Sequence, residues 1–409
     1  MKDARSLAVE SLNRTLREGA WSNAELKATL QKADLTPAGR ALYKQLYFGA
    51  LSRLPLLDAA LAHACRQPLS QLSGKLLALL RVGAWSVYFS DAPQARSVDE
   101  SVRLCKKIAP GAAGLTNAVL RHLPPLSALS LTPAERLCVS EDVYRAVSSA
   151  LGEKAEAFLE TTFLSPAPVA RVNLLRTTPQ ALIERLQKEG AQAEPARSAA
   201  LRLKLRGSVE ALPSYREGLF HLQSLPSQAA AEALGVSPGE RVIDLCAAPG
   251  GKAFTLAQIM ENRGELIACE LYPHRAALIE KGAARLGLSC VTPLCGDSRT
   301  LPLAPAHAIL LDAPCSGLGQ LARHPELRSK SLADLPALLE LQEALLLRAA
   351  DLLLPGGRLV YSTCTLNPAE NGDQAARLAA LHPELKLLDE QTIAEGGEGF
   401  YLTRWEKQA

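Results

Sequence analysis

Two short stretches carry the residue types best suited to covalent chemistry. The first is Asp312-Ala313-Pro314-Cys315-Ser316-Gly317-Leu318-Gly319, and the second is Ser362-Thr363-Cys364-Thr365. A thiolate is a strong nucleophile, and an acid beside it serves as hydrogen-bond partner or proton carrier. Each cysteine follows a short apolar run that reads as a buried strand: His307 to Leu311 before the first, Arg358 to Tyr361 before the second. Strands of an open α/β sheet bring their C-terminal ends to the ligand crevice. An isolated buried cysteine usually behaves as a small core hydrophobe. The Pro-Cys-Ser-Gly-x-Gly turn and the second cysteine weigh against that reading here.

The elements that must position these groups begin at Val236, where the pattern becomes strand, helix, strand, helix. Arg241 to Leu245 reads as a strand, Cys246 to Lys252 as a glycine-bearing turn, and Ala253 to Met260 as the start of a helix. A strand ending at Cys269-Glu270, a helix over Pro273 to Leu286 and a strand ending near Asp297 follow. This alternation implies a parallel sheet with right-handed crossovers. Leu385 to Leu388 and Phe400 to Trp405 are expected to form an antiparallel hairpin closing one edge.

The turn Cys246-Ala247-Ala248-Pro249-Gly250-Gly251-Lys252 is not a nucleoside-triphosphate loop. That motif needs glycine where Cys246 stands and Ser or Thr where Ala253 stands. It also lacks the Gly-x-Gly-x-x-Gly of dinucleotide binders. It still lets backbone approach a ligand, and the following helix offers free N–H groups. Glu270, at the end of the second strand, can accept both ribose hydroxyls of a nucleoside. Asp297 ends the third strand and is expected to meet an adenine edge. Acids at 244, 270 and 297, at successive strand ends beside a glycine turn, point to an adenosyl ligand. Without a phosphate loop, that ligand is expected to be S-adenosyl-L-methionine.

The chain has 409 residues, enough for two or three domains, and is 48% hydrophobic and 21% charged. No segment is long and apolar enough to span a bilayer, and the charged N-terminus does not read as a signal peptide. The nine cysteines, an odd number without a secretory signal, point to a reduced cytoplasmic chain. No Cys-x-x-Cys pair exists and the seven histidines stand apart, so no structural metal site is expected. No obligate protein partner is evident. Residues 1–123 carry 17 Lys/Arg against 9 Asp/Glu, whereas residues 236–409 carry 16 against 21. A basic front end suits contact with nucleic acid, and equally suits a solvated helical surface.

Residues 1–130 read as helices, with one apolar face from Tyr43 to Leu54 and another from Leu76 to Val87. Arg5, Arg14, Arg17, Lys106, Lys107 and Arg121 are available to hold phosphates. The proline-rich stretch from Leu123 to Pro133 marks a boundary. Residues 131–235 read as a small α+β region. It has a strand over Val169 to Leu175 and a helix opened by Thr178 and Pro179. A strand over Leu201 to Leu205, flanked by Arg202, Lys204 and Arg206, reads as an RNA-facing surface or a charge-protected edge. Residues 236–409 form the third region.

Together these residues resemble the Fmu/Sun (NOL1/NOP2/sun) family of bacterial 16S rRNA cytosine-C5 methyltransferases, with an N-terminal NusB-like domain. The resemblance rests on Asp244 to Lys252, Asp312 to Gly319, His324-Pro325-Glu326, Ser362-Thr363-Cys364 and Asn367-Pro368-Ala369-Glu370-Asn371. In the front region it rests on Thr116-Asn117-Ala118-Val119-Leu120-Arg121. It covers essentially the whole chain.

It implies a class I Rossmann-like methyltransferase domain preceded by an all-α NusB-like domain and a small α+β region. It makes Cys364 the nucleophile at C6 of cytosine, and Cys315 the thiol that assists its expulsion. Asp312 is expected to hold the N3/N4 edge of the base. The backbone of Cys246, Ala247, Ala248, Pro249, Gly250, Gly251 and Lys252, with Glu270, Asp297 and Asp312, is expected to hold S-adenosyl-L-methionine. The expected partner is small-subunit ribosomal RNA.

The chain departs from the family at Glu270 (usually Asp), Ser224 (usually Asp), Ser329 (usually aromatic) and Gly372 (usually acidic). Rival readings are a transfer-RNA cytosine methyltransferase, a DNA cytosine methyltransferase and a non-catalytic RNA-binding assembly factor. The DNA enzymes use the Pro-Cys cysteine as nucleophile, so an intact Thr363-Cys364 argues against them.

Overall fold

The computed structural model describes residues 3–205 and 207–408. Arg206, one of the basic residues flanking the strand near 200, lies outside the described residues. The chain divides into two compact units. One runs to Leu164 and takes in Gln320–Leu332; the other comprises Ser165–Gly319 and Ala333 onward. The first unit therefore runs on past residue 130 and recruits a segment from within 236–409. Among the described residues, no helix is long and apolar enough to cross a membrane.

Seven helices open the first unit: α1 Ala4–Glu18, α2 Ser22–Lys32, α3 Pro37–Leu51, α4 Leu54–Ala64, α5 Gly74–Phe89, α6 Gln94–Ile108 and α7 Ala113–Arg121. Local chemistry sets their ends. The Asp3 carboxylate accepts from Ser6 N to start α1, and Gly19, at φ 68°, ends it. Thr36 caps α3 with Pro37 in its first turn, and Ser73 caps α5. The apolar face expected from Tyr43 to Leu54 is broken at Ser52-Arg53, so Leu54 belongs to the next helix. Tyr43, Leu46, Tyr47 and Leu51 of α3 pack with Leu12 of α1 and Leu79, Leu80 and Trp85 of α5.

Three of the six basic residues proposed for phosphate binding are engaged within the unit. Arg5 pairs with Glu100, Arg14 with Glu25, and Arg121 reaches Asn117 Oδ1 at 2.9 Å and Asp99 at 3.8 Å. Arg17, Lys106 and Lys107 remain exposed. The first two pairings join different helices, α1 with α6 and α1 with α2, which the periodicity of a single helix does not reveal.

The second unit holds two sheets. In the smaller, β1 (Val169–Val172), β2 (Gln192–Arg197), β3 (Ala200–Lys204) and β4 (Phe220–Leu222) lie in the order β2-β3-β1-β4, all antiparallel. β1 is shorter than expected; Asn173 turns the chain, and its side chain donates to Gly218 O and Leu286 O. Thr178 caps the following helix as expected. β3 is not an edge. It lies between β1 and β2, with Leu201 and Leu203 buried and Arg202 and Lys204 exposed on the other face.

The larger sheet contains β5 (Arg241–Asp244), β6 (Glu265–Glu270), β7 (Val291–Cys295), β8 (Ala306–Asp312), β9 (Leu353–Thr363), β10 (Leu385–Glu395) and β11 (Glu398–Lys407). Their order is β10-β11-β9-β8-β5-β6-β7. β5 to β9 are parallel, and β10 and β11 form the expected antiparallel hairpin on one edge. From β5 the chain winds outward through β6 and β7, then returns to β8 on the other side of β5. The β5/β8 pair is thus the switch point of the sheet, where ligands bind in open α/β folds.

Candidate active site

Register puts the chemistry at one end of the sheet. Asp244 closes β5, Glu270 closes β6 beside Cys295 of β7, and Asp312 closes β8 beside Ser362 of β9. Asp297 follows β7 directly, and Ser298 Oγ ties that loop to Leu245 O at 2.6 Å.

Around the glycine turn, Gly250 has φ +111°, and a Cβ there would stand 2.2 Å from the Phe254 ring, so only glycine fits. Gly251 opens the helix Gly251–Ile259, whose first turn carries backbone N–H groups without intrahelical partners. Asp244 is fully buried. One of its oxygens accepts from Cys246 N at 3.3 Å, and the other, Oδ2, has no partner. Burial first, then the charge of Asp312, pushes its pKa up to about 7.

Glu270 Oε1 accepts from Tyr272 N at 3.0 Å and lies 3.5 Å from Arg275, whose guanidinium also donates to Ala248 O. Arg275, which carries no local sequence signal, therefore braces the glycine turn against Glu270. Asp297 is held ionised by Arg299, whose hydrogen bonds lower its pKa. A buried acid with one oxygen free, a glycine-only turn and a second acid one strand away suit an adenosyl group carrying positive charge on its amino-acid end.

The two cysteines meet. Cys315 Sγ and Cys364 Sγ are 3.4 Å apart. Ser362, Thr363, Thr365 and Leu366 are fully buried, whereas Cys364 is partly open between them; Cys315 is likewise partly open beside buried Ser316. Asp312 stands alongside, with Oδ2 2.6 Å from Lys252 Nζ and Oδ1 accepting from Ser362 Oγ at 2.8 Å.

The two thiols differ in acidity. The Cys315 S–H bonded to Cys364 pulls the Cys364 pKa below its usual value, against burial and the Asp312 charge, with Lys252 helping. Cys315 is driven well above its usual value by that same bond, by burial and by the charges of Cys364, Glu370 and Asp312. Of the pair, Cys364 is the more acidic and Cys315 the one that holds a proton more readily. The Cys246 thiol is also raised, by burial and then by Asp244, Asp312 and Glu270, so it supplies backbone rather than a nucleophile.

Cys246 to Lys252, Glu270, Asp312, Cys315 and Cys364 thus converge at one end of the sheet, with Asp297 in the loop after β7. His324-Pro325-Glu326 belongs to the first unit instead. Glu326 accepts from Ser22 N at 3.1 Å and Ser22 Oγ at 2.6 Å, and His324 packs edge-on against Trp21. Gln223 accepts from Thr255 Oγ1 at 2.6 Å and donates to Ser227 O, bracing the helix behind the turn.

Comparison with known proteins agrees with this arrangement. The model of the family described as 16S rRNA methyltransferase RsmB/F matches residues 231–404, the NusB family residues 2–124, and a ferredoxin-like domain of RsmF/B-like methyltransferases residues 143–210. A probable ribosomal RNA small subunit methyltransferase B of Bacillus subtilis is 30% identical, over 93% of this chain and 89% of that protein. The ribosomal RNA small subunit methyltransferase B of Pseudomonas syringae pv. tomato is 32% identical, over 90% of this chain and 85% of that one. The crystal structure of PH0851 shares the fold, with a TM-score of 0.82 and 24% identity over 100% of this chain and 99% of that one. With the family models and relatives matched over most of their length in agreement, the chain belongs to the RsmB/F family of 16S rRNA methyltransferases, with a NusB region ahead of a Rossmann-like methyltransferase fold.

Proposed function

We propose that this protein methylates C5 of a cytosine in small-subunit ribosomal RNA through a covalent bond between Cys364 and C6 of the base. The methyl donor is S-adenosyl-L-methionine, which supplies an electrophilic methyl group. Cys246 to Lys252, Glu270, Asp297 and Asp312 are the residues that would hold it. The observation that carries the reading is the 3.4 Å approach of a lowered-pKa thiol to a raised-pKa thiol beside the Lys252–Asp312 pair.

C5 of cytosine is a weak nucleophile. Addition of the Cys364 thiolate to C6 forms a C–S bond and moves the ring electrons toward C5, which then takes the methyl group as the sulfonium S–CH3 bond breaks and leaves a neutral thioether. Asp312 holds the N3/N4 edge and supports the charge that develops there. Loss of the C5 proton to a water molecule in the site restores the C5–C6 double bond and expels Cys364 as thiolate. Cys315, still protonated, donates a hydrogen bond to the departing sulfur. The base must leave its stack to reach a thiol. Aromatic residues are only 4% of the chain, so exposed cations such as Arg17, Lys106 and Lys107 are the better candidates for RNA contact.

The test is transfer of labelled methyl from S-adenosyl-L-methionine to small-subunit rRNA, followed by bisulfite mapping. One protected cytosine that disappears in cells lacking the protein is the expected result. Label on transfer RNA alone would favour the rival substrate, and donor binding without transfer would favour an assembly factor.

A further inference from the structure

We propose that Glu370 and Asn371 are positioning residues that set the spacing of the two reactive sulfurs, each gripping the backbone beside one cysteine. The proposal deepens the two-thiol reading above and rests on it. Both residues are buried, at the turn between β9 and the helix Gly372–Leu381.

Glu370 faces the Cys315 loop, 54 residues back in the chain. Its carboxylate accepts from Ser316 N at 2.7 Å and from the Ser316 hydroxyl. Gln342 Nε2 and Asn367 Nδ2, each at 3.1 Å, complete its shell. Its backbone carbonyl accepts from Tyr361 OH at 2.5 Å, three residues before Cys364. Asn371 faces the other cysteine. Its Oδ1 accepts from Thr363 Oγ1 at 2.6 Å and its Nδ2 donates to Thr365 O at 3.1 Å, the residues on either side of Cys364. A bond between the Ser316 and Thr365 hydroxyls, at 2.7 Å, closes the circuit.

One dipeptide therefore holds the residue after Cys315 and both neighbours of Cys364. Packing alone does not call for this, because apolar residues of similar volume fill a core at least as well as a buried charge. What the carboxylate adds is four directed bonds, two to each oxygen, and directed bonds fix a geometry that apolar packing leaves free. Displacements of about 1 Å at reacting groups cost about a hundredfold in rate, so a fixed sulfur spacing has direct catalytic value.

Phenylarsine oxide, which captures two thiols at once, reads the spacing without RNA or methyl donor. Wild-type protein is expected to bind it at the 315/364 pair, and Cys315→Ala and Cys364→Ala to lose that binding. Glu370→Ala should weaken it by about tenfold or more, and lower the methyl-transfer kcat by a similar factor with KM for S-adenosyl-L-methionine within about twofold. Glu370→Gln, which keeps volume and one acceptor oxygen, should fall between and retain the wild-type melting temperature.

Arsenoxide binding to Glu370→Ala as tight as to wild type would overturn the proposal. So would equal losses in kcat and KM in Glu370→Gln, or a wild-type protein that does not bind the reagent at this pair. Loss of arsenoxide binding in Glu370→Ala, together with full methylation by Cys364→Ala, would keep the spacing role and sink the two-thiol reaction.

Discussion

Lys252 Nζ lies 2.6 Å from Asp312 Oδ2, joining the glycine turn after β5 to the end of β8 across the switch point of the sheet. The same ammonium helps lower the Cys364 pKa. One residue of the glycine turn thus acts on both Asp312 and Cys364. Lys252→Gln is expected to lower kcat/KM for RNA methylation by about 10- to 100-fold, the range for losing a charge-assisted bond. Steady-state kinetics checks this; a change under about threefold would remove Lys252 from the machinery.

The acidity of Cys364 gives a pH prediction. Its folded pKa lies below the free-thiol value, so the rate of adduct formation should climb with pH and then level off, with its midpoint below that of a free thiol. Cys315→Ala removes the S–H that donates to Cys364, so the midpoint should move upward in that variant. Single-turnover adduct formation across pH 6–10 measures both. A midpoint unmoved by Cys315→Ala would show that the sulfurs do not share a proton.

Asp244 makes the opposite kind of contribution. Its folded pKa of about 7 lies above its ordinary value of 3.8. The folded protein therefore binds the extra proton between these limits. The associated stability is fully present below pH 4 and is lost as pH rises through 7, by up to roughly 4 kcal/mol. Asp244→Asn should raise the melting temperature of the cofactor-free protein at pH 8, by less at pH 5, and leave it nearly unchanged below pH 4. Thermal melts at these pH values decide it; an equal effect at all of them would mean that the buried carboxylate is not under electrostatic strain.

Much of this site was legible because sheets obey short-range rules. Apolar runs ending in Asp244, Glu270 and Asp312 read as parallel strands, and parallel strands align their C-terminal ends. What escaped has no local signature. β3 alternates like an edge strand, and only its partners on both sides make it interior. Arg5 and Arg14 read as free cations until Glu100 and Glu25 are brought to them by packing. The return of Gln320–Leu332 to the helical unit is equally silent in the sequence. Glu370 and Asn371 were visible as a motif, yet their bonds to Ser316, Thr363 and Thr365 appear only in three dimensions.

Arg328 fastens that returning segment. Its guanidinium is buried, donating to Leu137 O at 2.7 Å, Cys138 O at 3.1 Å and Thr162 Oγ1 at 2.6 Å, and lies 4.0 Å from the Phe163 ring centroid. Burial lowers its pKa to about 10, which leaves it charged at neutral pH. Arg328→Met keeps the bulk but strands three acceptors, and should cost about 2–4 kcal/mol in denaturant unfolding. Arg328→Lys cannot reproduce the forked donors and should recover little of this. An unfolding midpoint unchanged in both would mean that the segment is held by its other contacts alone.

The central claim, that Cys364 attacks the base and Cys315 aids its release, is tested most directly by trapping the protein–RNA adduct. Cys315→Ala and Cys364→Ala are each incubated with S-adenosyl-L-methionine and small-subunit rRNA and separated on a denaturing gel. The account predicts a covalent band that accumulates with Cys315→Ala and is absent with Cys364→Ala. A band formed by Cys364→Ala, and none by Cys315→Ala, would contradict it.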